Sequence, residues 1–291
     1  MRRSLNDDMA RFHNLAKRSQ LRTLGYSARD IGTALEDHRL WPIRRQWLMH
    51  QGADAASVRA VALGGRLAAA SALSSYGIWV TRSTGLWIQV PESASHVSQL
   101  RPGEHRLWMR EHFTNRSDQQ WRMSVQDSLL QYAKLGSEED VTAAFDSALN
   151  TGLLSRSALD DVFSVMPRRL RRLLSRIDGK AASGLETLLR LAAEAEGWHV
   201  EIQVEIAGVG RVDVLIDGWL VIELDGARWH DNHQSQEEDR RRDAELVRRG
   251  YRWHRFRSSQ VLTQMPLCID VIRTILASGR PPVSPQVCGR F

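Results

Sequence analysis

The amino-acid sequence predicts an α/β protein with a sheet core in its last third and a mainly helical region before it. Three observations support this fold class. At 291 residues, the chain is long enough for about two domains. Its hydrophobic fraction of 42% is sufficient for buried cores. From residue 200 onward, apolar residues recur with the two-residue period of strands, and these runs alternate with helical segments.

The N-terminal segment, residues 1–50, is basic and is predicted to contain two helices and a hairpin. It holds ten Arg or Lys residues against five Asp or Glu residues. A first helix is expected at residues 9–24. Ser27 is a residue type that caps helices, which places a second helix at residues 28–37. A short basic hairpin is expected at residues 39–48.

Helix, turn, helix and basic hairpin is the order of a winged helix-turn-helix. The second helix would lie in a major groove with Arg29 near the bases, while Arg44 and Arg45 would contact phosphates. The alternative is a small helical domain used for protein contacts. The Gly-Tyr-Ser turn and the Trp- and Arg-containing hairpin resemble the winged-helix domain of abortive-infection (type IV toxin-antitoxin) antitoxins. The resemblance implies DNA binding, with Ser27, Arg29, Arg44 and Arg45 as candidate contacts.

The middle of the chain, residues 58–178, is predicted to be a small α/β region followed by a helical spacer, as in the antitoxin-like proteins. A helix and three strands are expected, in this order, at residues 66–75, 78–81, 86–90 and 104–112. Helical patterns continue over residues 124–177. Five arginines between residues 168 and 176 form either a solvated face or a contact with the DNA backbone.

A domain boundary is predicted at residues 178–183, and a helix begins at Ser183. Glu186 completes a Ser-x-x-Glu capping box, in which the Glu side chain binds back to the start of its helix. Residues 200–206 alternate between apolar and polar and form the next strand.

Two further strands, residues 211–216 and 220–225, are predicted to form a hairpin around Gly218. One face of this hairpin is wholly apolar if Ile216 lies opposite Leu220. The other pairs expected on that face are Val214 with Ile222 and Val212 with Leu224. The pairs expected on the opposite face are Leu215 with Val221, Asp213 with Glu223, and Arg211 with Asp225.

The facing acids Asp213 and Glu223 indicate a metal site. Like charges opposite each other in a sheet are destabilising, and a hard divalent cation removes that repulsion. Two carboxylates suit Mg²⁺ or Mn²⁺ in an open octahedral site with room for water and a phosphate. The alternative is a structural ion pair of Asp213 with Arg211 or Arg228. A third acid and a histidine close by favour the metal site.

The C-terminal segment resembles a known enzyme family. A helical Glu, a strand Asp, a hairpin and a Glu-x-Asp-Gly-x-x-Trp-His run are similar to the very-short-patch-repair-like branch of the PD-(D/E)XK endonuclease superfamily. The segments GVGRVD (residues 208–213) and IELDG (residues 222–226) resemble an actinobacterial domain of unknown function within that branch. The resemblance covers residues 183–277. It implies a restriction-endonuclease-like core, with a mixed sheet flanked by helices, that hydrolyses DNA phosphodiester bonds with Mg²⁺ or Mn²⁺.

The resemblance also implies residue roles. Glu186 would face the metal bound by the two hairpin acids, as an alternative to capping its helix. The superfamily has a Lys where this chain has Asp225, so the cationic group must come from another residue. His230 matches the histidine of the family's Trp-His segment and could protonate the leaving oxygen, although a lone histidine can also be incidental. The candidate cations are Arg211, Arg228 and Arg240.

The remaining elements follow from helical and strand patterns. A charged helix, a strand, a closing helix broken at Pro266, and a tail are expected at residues 235–249, 251–256, 261–277 and 281–291. Intrahelical ion pairs are the alternative role for Arg240 and the other charges of the first of these helices.

Composition restricts the function further. A net charge of +6 and a pI near 9.9 favour a polyanionic partner, with DNA ahead of a membrane surface. Two cysteines, Cys268 and Cys288, argue against a disulfide framework and a cysteine-based zinc site. No signal peptide and no apolar run of about 18 residues is recognisable, which predicts a cytoplasmic protein.

The sequence therefore predicts a Mg²⁺-dependent endonuclease in DNA repair or phage defence, recruited to DNA by a winged helix. One alternative is a transcriptional regulator or antitoxin-like protein with an inactive nuclease fold; another is an assembly module of a defence complex. A homodimer is compatible with each. The predicted domain boundaries are residues 1–50, 58–178, 183–280 and the tail 281–291.

Overall fold

The structure of the protein, a computed structural model, describes residues 4–81, 85–92, 94, 99–115, 117–225 and 233–282. The chain forms two compact units. The first unit comprises Met1–Ser137 and Leu153–Arg171, and the second comprises Glu138–Gly152 and Arg172–Phe291.

The first half of the chain contains six helices and six strands within the described residues. In chain order they are α1 (Leu5–Arg11), β1 (Leu15–Lys17), α2 (Arg18–Thr23), α3 (Ala28–Glu36), β2 (Trp41–Arg44), β3 (Trp47–Met49), α4 (Ala55–Ala62), β4 (Arg66–Leu67), α5 (Ala69–Ser75), β5 (Leu86–Gln89), β6 (Glu104–Leu107) and α6 (Val125–Tyr132).

The described part of the second half is helical up to residue 195 and then alternates between strands and helices. Its elements are α7 (Glu138–Asn150), α8 (Arg156–Val165), a 3₁₀ helix (Arg168–Arg176), α9 (Gly184–Ala195), β7 (Val200–Ile206), β8 (Gly210–Ile216), β9 (Leu220–Asp225), α10 (His233–Arg248), β10 (Arg252–Arg257), α11 (Ser258–Thr263) and α12 (Met265–Ala277). Among the described helices, none has the length and apolar character needed to cross a membrane.

The single helix predicted at residues 9–24 is wrong, because this stretch contains the end of α1, then β1, then α2. His13 and Asn14 have positive φ angles of 54° and 61°, which end α1 and turn the chain. Asn and His are among the residues that adopt this left-handed conformation most readily. The turn lets Leu15 and Ala16 enter a three-stranded sheet of order β1-β3-β2, where both are buried.

The second predicted helix is confirmed as α3. Its cap is Ser27, whose hydroxyl accepts a hydrogen bond from the Asp30 N–H at 3.1 Å, while the Ser27 N–H donates to the Asp30 carboxylate at 2.7 Å. The helices and the sheet share one core. Its buried members are Met9, Phe12, Ala16, Leu21, Ile31, Ala34, Leu40 and Leu48.

A second sheet of the first unit has the order β4-β5-β6, with β5 and β6 parallel. The strand predicted at residues 78–81 is wrong, since these residues form no strand ladder with a described segment. The Ile78 N–H donates to the Leu73 carbonyl and closes α5, so it is not available to a strand ladder. The strand predicted at residues 104–112 is shorter than expected and ends at Leu107.

The second unit contains a mixed four-stranded sheet of order β10-β9-β8-β7. β9 is parallel to β10, and β8 is antiparallel to both of its neighbours. A mixed sheet flanked by helices is compatible with the predicted restriction-endonuclease-like fold. One cluster of its core consists of Ile206, Val209, Val212, Leu215, Val221 and Leu246.

The predicted register of the β8–β9 hairpin is confirmed next to the turn. Ile216 lies opposite Leu220, and the next two pairs are also as predicted. The turn uses positive φ angles at Asp217 (49°) and Gly218 (71°), the conformation of a tight hairpin turn. The ladder stops after Val214 and Ile222. The three pairs predicted beyond that point, Val212 with Leu224, Asp213 with Glu223 and Arg211 with Asp225, are absent from the described ladder.

Candidate functional site

The place where the β8–β9 ladder stops is also where the acidic side chains gather. The Asp213 carboxylate accepts a hydrogen bond from the main-chain N–H of Leu224, with Oδ2 2.8 Å from the nitrogen. In a continued ladder, that N–H would bind the carbonyl of Val212 on β8. The side chain of Asp213 thus replaces a ladder bond, which separates the strands and explains why the predicted pairs beyond this point do not form.

Asp213 and Glu223 interact across this opening. The Glu223 side chain is 15% exposed. Burial, and after it the neighbouring charge of Asp213, raise the pKa of Glu223 to about 7. Two acidic groups with little solvent to screen their charges thus share one site.

Glu186 enters the same site from the first turn of α9. Its Oε1 accepts from the Ser183 hydroxyl at 2.9 Å, and its Oε2 accepts from the Ala182 N–H at 2.9 Å. This differs from the predicted capping box, because the N–H that it binds belongs to the residue before the cap. Burial raises the pKa of Glu186, and the charge of Asp213 adds to that increase. Glu186 therefore ties down the start of its helix and also faces the acidic strands.

Gln203 on β7 lies between the carboxylates of Glu186 and Asp213. The sequence analysis did not identify it. Its Nε2 donates to Glu186 Oε2 at 2.7 Å and lies 3.5 Å from Asp213 Oδ1. Its φ angle is +55°, an uncommon value for a glutamine within a strand. The β7–β8 pairs on either side of it, Ile202 with Val214 and Val204 with Val212, place it opposite Asp213. The residue type gave no reason to choose Gln203. The length of the β7–β8 turn, which sets this register, is the sequence feature that could have placed it at the site.

Arg242 on α10, which is not among the predicted cations Arg211, Arg228 and Arg240, contacts the acidic pair. Its Nη2 lies 3.4 Å from Glu223 Oε1. The same guanidinium donates to the carbonyls of Val209 at 3.1 Å and Arg211 at 2.9 Å, which fix its position. Arg240 is exposed on α10. Residues two apart on a helix point in different directions, and the sequence alone did not show which one faces the sheet.

Asp225, at the position of the superfamily lysine, lies beside a different arginine from the one predicted. Its Oδ1 is 3.5 Å from Nε of Arg255 on the parallel strand β10, a charge contact without hydrogen-bond geometry. The Asp225 carbonyl accepts from the Ser258 hydroxyl at 2.6 Å. Arg228 and His230 lie outside the described residues.

The chemistry of the donors fits a hard divalent cation. Asp213 and Glu223 could hold Mg²⁺ or Mn²⁺ through carboxylate oxygens, since Mg²⁺ is usually bound by one or two carboxylates together with water and substrate phosphate. Within the described part of the chain, no group of three or more His, Cys, Asp and Glu residues is arranged to hold a metal ion. A site of this kind would need water and a phosphate to complete it.

The four residues predicted to contact DNA belong to the first unit. Ser27 caps α3, and Arg29 is exposed in its first turn. Arg44 ends β2, and Arg45 follows in the turn to β3; both are exposed. Arg29 therefore lies on the helix, while Arg44 and Arg45 lie on the hairpin.

Comparison with known proteins identifies the part of the chain that carries the acidic site. No sequence among curated proteins matches the chain significantly. Residues 186–276 match the model of a restriction-endonuclease-like family, REase_MTES_1575. The match begins at Glu186, includes Asp213, Glu223 and Asp225, and covers less than half of the chain. It supports a restriction-endonuclease-like domain, and hence a nuclease-like function, in this part of the protein.

Proposed function

We propose that the protein is a metal-dependent endonuclease that hydrolyses DNA phosphodiester bonds at the acidic end of the β8–β9 hairpin. The observation that carries the proposal is the approach of Asp213 to Glu223 where the ladder opens, within a segment that matches a restriction-endonuclease-like family. DNA is the substrate that such a family implies.

Asp213 and Glu223 would hold one Mg²⁺ or Mn²⁺ ion. When bound, the ion supplies a polarised phosphate and a water of lowered pKa. Glu223 must lose its proton to serve as a ligand, and Arg242 at 3.4 Å favours that loss because it stabilises the carboxylate. Gln203 positions Asp213 and Glu186 relative to each other through its amide. His230 is the proposed proton donor to the leaving oxygen.

Arg242 and Arg255 would take over the electrostatic role of the superfamily lysine. Each lies beside an acidic residue of β9, Arg242 at Glu223 and Arg255 at Asp225. An arginine presents several donors in a fixed plane and binds phosphate oxygens in pairs. The two guanidinium groups would then stabilise the negative charge that develops on the phosphate.

The first unit would recruit DNA as a winged helix-turn-helix. The succession of α2, a short turn, α3 and the β2–β3 hairpin supports this proposal, as does the exposure of Arg29. Arg44 and Arg45 would contact phosphates. DNA repair and phage defence are the cellular roles that we propose for this combination.

The test is cleavage of supercoiled plasmid and of single-stranded DNA in Mg²⁺ or Mn²⁺. Wild type should cut, and Asp213→Ala and Glu223→Ala should fail to cut while still binding DNA. If wild type shifts DNA but never cuts, the fold serves as a binding scaffold. That outcome would favour a regulator or antitoxin-like function, for which the replacement of the superfamily lysine by Asp225 is the supporting observation.

A further inference from the structure

A basic cavity of about 540 Å³ lies in the first unit. Its lining residues come from a different part of the chain than the acidic β8–β9 hairpin. Cationic side chains reach it from three separate elements. Lys17 comes from β1, Arg44 and Arg45 come from the β2–β3 hairpin, and Arg66 comes from β4. Of the described residues that line the cavity, none is acidic.

Only Arg66 among these four cations has a carboxylate partner in the described part of the chain. It pairs with Glu111. Arg44 donates weakly to the main-chain carbonyl of Ala62, with Nη1 3.4 Å from the oxygen. Arg45 is exposed and forms no ion pair with a described residue. Three positive charges thus converge on the cavity without a counter-charge from the described chain.

The environment of Lys17 is the strongest indication that the positive charge of the cavity is uncompensated. Its ammonium lies 5.4 Å from the centre of the Trp47 ring, which packs beside it in the cavity wall. Burial lowers the pKa of Lys17, and the charge of Arg66 lowers it further. The positive charge of Arg66 repels the Lys17 ammonium, and an anion bound between the two side chains would remove the repulsion.

The shape and charge of the cavity select among anions. Its volume lies in the range that holds a small organic ligand such as a nucleotide, and exceeds the space needed for one inorganic anion. Arginine and lysine together form the usual donor set for phosphate oxygens. Several uncompensated cations favour a ligand with more than one negative charge. A terminal phosphate or a polyphosphate meets that requirement better than an internal phosphodiester, which carries one charge.

We propose that this cavity binds a multiply charged phosphate group, carried either by the phosphorylated end of a nucleic-acid strand or by a free nucleotide. The site is separate from the proposed metal site, and its ligand binds without divalent metal. Arg44 and Arg45 thereby contact a terminal phosphate in the cavity, in addition to the duplex contacts proposed for the hairpin.

Isothermal titration of the full-length chain in EDTA tests the proposal, because cleavage cannot occur under that condition. Inorganic tripolyphosphate should bind with one site per chain. Arg45→Ala and Lys17→Gln should each weaken this binding by about tenfold, the usual cost of losing a charge-assisted hydrogen bond. Glu111→Gln should strengthen binding, because it frees Arg66 from its carboxylate. Arg110→Ala removes one exposed charge from the same unit outside the cavity and should leave the affinity unchanged.

Two further ligand pairs identify the source of the phosphate. Tighter binding of a 5′-phosphorylated oligonucleotide than of its 5′-hydroxyl twin would assign the site to a strand end. Tighter binding of ATP than of either oligonucleotide would assign it to a nucleotide. Absence of tripolyphosphate binding at millimolar concentration, or equal affinity in wild type, Arg45→Ala and Lys17→Gln, would overturn the proposal. Asp213→Asn should bind as wild type does, so that failure here is independent of the nuclease proposal.

Discussion

At the scale of single residues, the proton on Glu223 is the most informative feature of the site. Burial and the charge of Asp213 raise the pKa of Glu223 to about 7 from its ordinary value of 4.5. A carboxyl group with a raised pKa binds protons more tightly in the folded than in the unfolded state. Its contribution to stability is therefore lost as pH rises from about 4.5 to about 7.

Glu223→Gln should remove this loss. In metal-free buffer near pH 8, the variant should have a higher melting temperature than wild type. The corresponding difference in the free energy of unfolding should be on the order of 2 kcal/mol and should shrink toward pH 4.5. Thermal melts in EDTA across this pH range measure the difference. Glu205→Gln, an exposed position on β7, makes the same chemical change and should follow wild type. A Glu223→Gln curve that runs parallel to wild type would contradict the raised pKa.

Gln203 combines backbone strain with a position between two acids. Gln203→Gly should relieve the strain of a φ angle of +55°, whereas Gln203→Ala should keep it, so the glycine variant should be more stable than the alanine variant by about 1 kcal/mol. Both lose the amide that contacts Glu186 and should cut DNA more slowly than wild type. Urea denaturation and nicking rates test the two effects separately. Wild-type cutting by Gln203→Gly would show that the amide positions nothing.

Residue types and spacing predicted the acidic positions but not their surroundings. Asp213 and Glu223 stood out because acids interrupt apolar strands, and their proximity follows from the hairpin register. Arg255 could not be chosen in the same way, since it reaches the site through the pairing of β10 with β9 across α10. Gln203 lies opposite Asp213 in the β7–β8 hairpin, but its residue type gave no reason to choose it. The arginine beside Glu223 depended on the rotation of α10, which its highly charged sequence does not fix.

At the scale of secondary-structure elements, α9 is held in place by a buried carboxylate on α7. Asp146 is fully buried and accepts from the N–H groups of Asp178 at 2.8 Å and Gly179 at 2.9 Å. It also accepts from Thr187 Oγ1 at 2.9 Å and Arg190 Nη2 at 3.2 Å, both on α9. Because α9 carries Glu186, these bonds also set the position of the acidic site. The helix of the middle region thus supports the predicted nuclease segment.

Asp146→Ala should destabilise the second unit by roughly 3 to 5 kcal/mol, because it removes the buried carboxylate that four donors share. One of these donors is the buried Arg190 guanidinium, which would keep only its bonds to Glu194 and to the Arg176 carbonyl. Thr187→Val removes one donor and should cost about 1 kcal/mol. Glu139→Ala, an exposed position on α7, should change stability by less than about 0.5 kcal/mol. Chemical denaturation gives all three values. Equal effects of Asp146→Ala and Glu139→Ala would contradict the role of Asp146.

Elements with strong local signals were predictable, and those decided by tertiary pairing were not. α3 has a capping box and the β8–β9 turn has Asp-Gly, and both agree with the prediction. β1 is three residues long, and its partner β3 lies about thirty residues later in the chain, so the local apolar spacing across β1 favoured a continuous helix. Residues 78–81 are rich in strand-forming side chains, but they lack a partner strand among the described segments.

At the scale of the whole molecule, the proposed functions of the two compact units differ: the first would recruit DNA, and the second would cleave it. Arg29→Ala should weaken binding to a pool of random-sequence duplexes and lower the dependence of affinity on salt, because one cation at the nucleic acid is lost. Fluorescence anisotropy over a range of salt concentrations measures both. Arg110→Ala serves as the control, since it removes an exposed charge outside the helix-turn-helix. Identical losses in the two variants would show that α3 does not contact DNA.

The net charge also follows this division in the sequence. Residues 1–50 alone carry a surplus of five positive charges, from ten basic and five acidic residues, out of the net +6 of the chain. Composition thus predicted a polyanionic partner and the segment that would meet it. It did not predict that several of these cations line one cavity, because that depends on the folding of β1, β4 and the β2–β3 hairpin around it.

The rate of plasmid nicking as a function of Mn²⁺ concentration tests the central claim most directly, which is that Asp213 and Glu223 hold the metal used for cutting. Wild-type nicking should rise to saturation with Mn²⁺ and stop in EDTA. Asp213→Asn and Glu223→Gln should nick about a hundredfold more slowly or need far more Mn²⁺, with unchanged DNA binding. Glu205→Gln should match wild type. Wild-type nicking by Asp213→Asn at the same Mn²⁺ concentration would contradict the claim and move the site elsewhere.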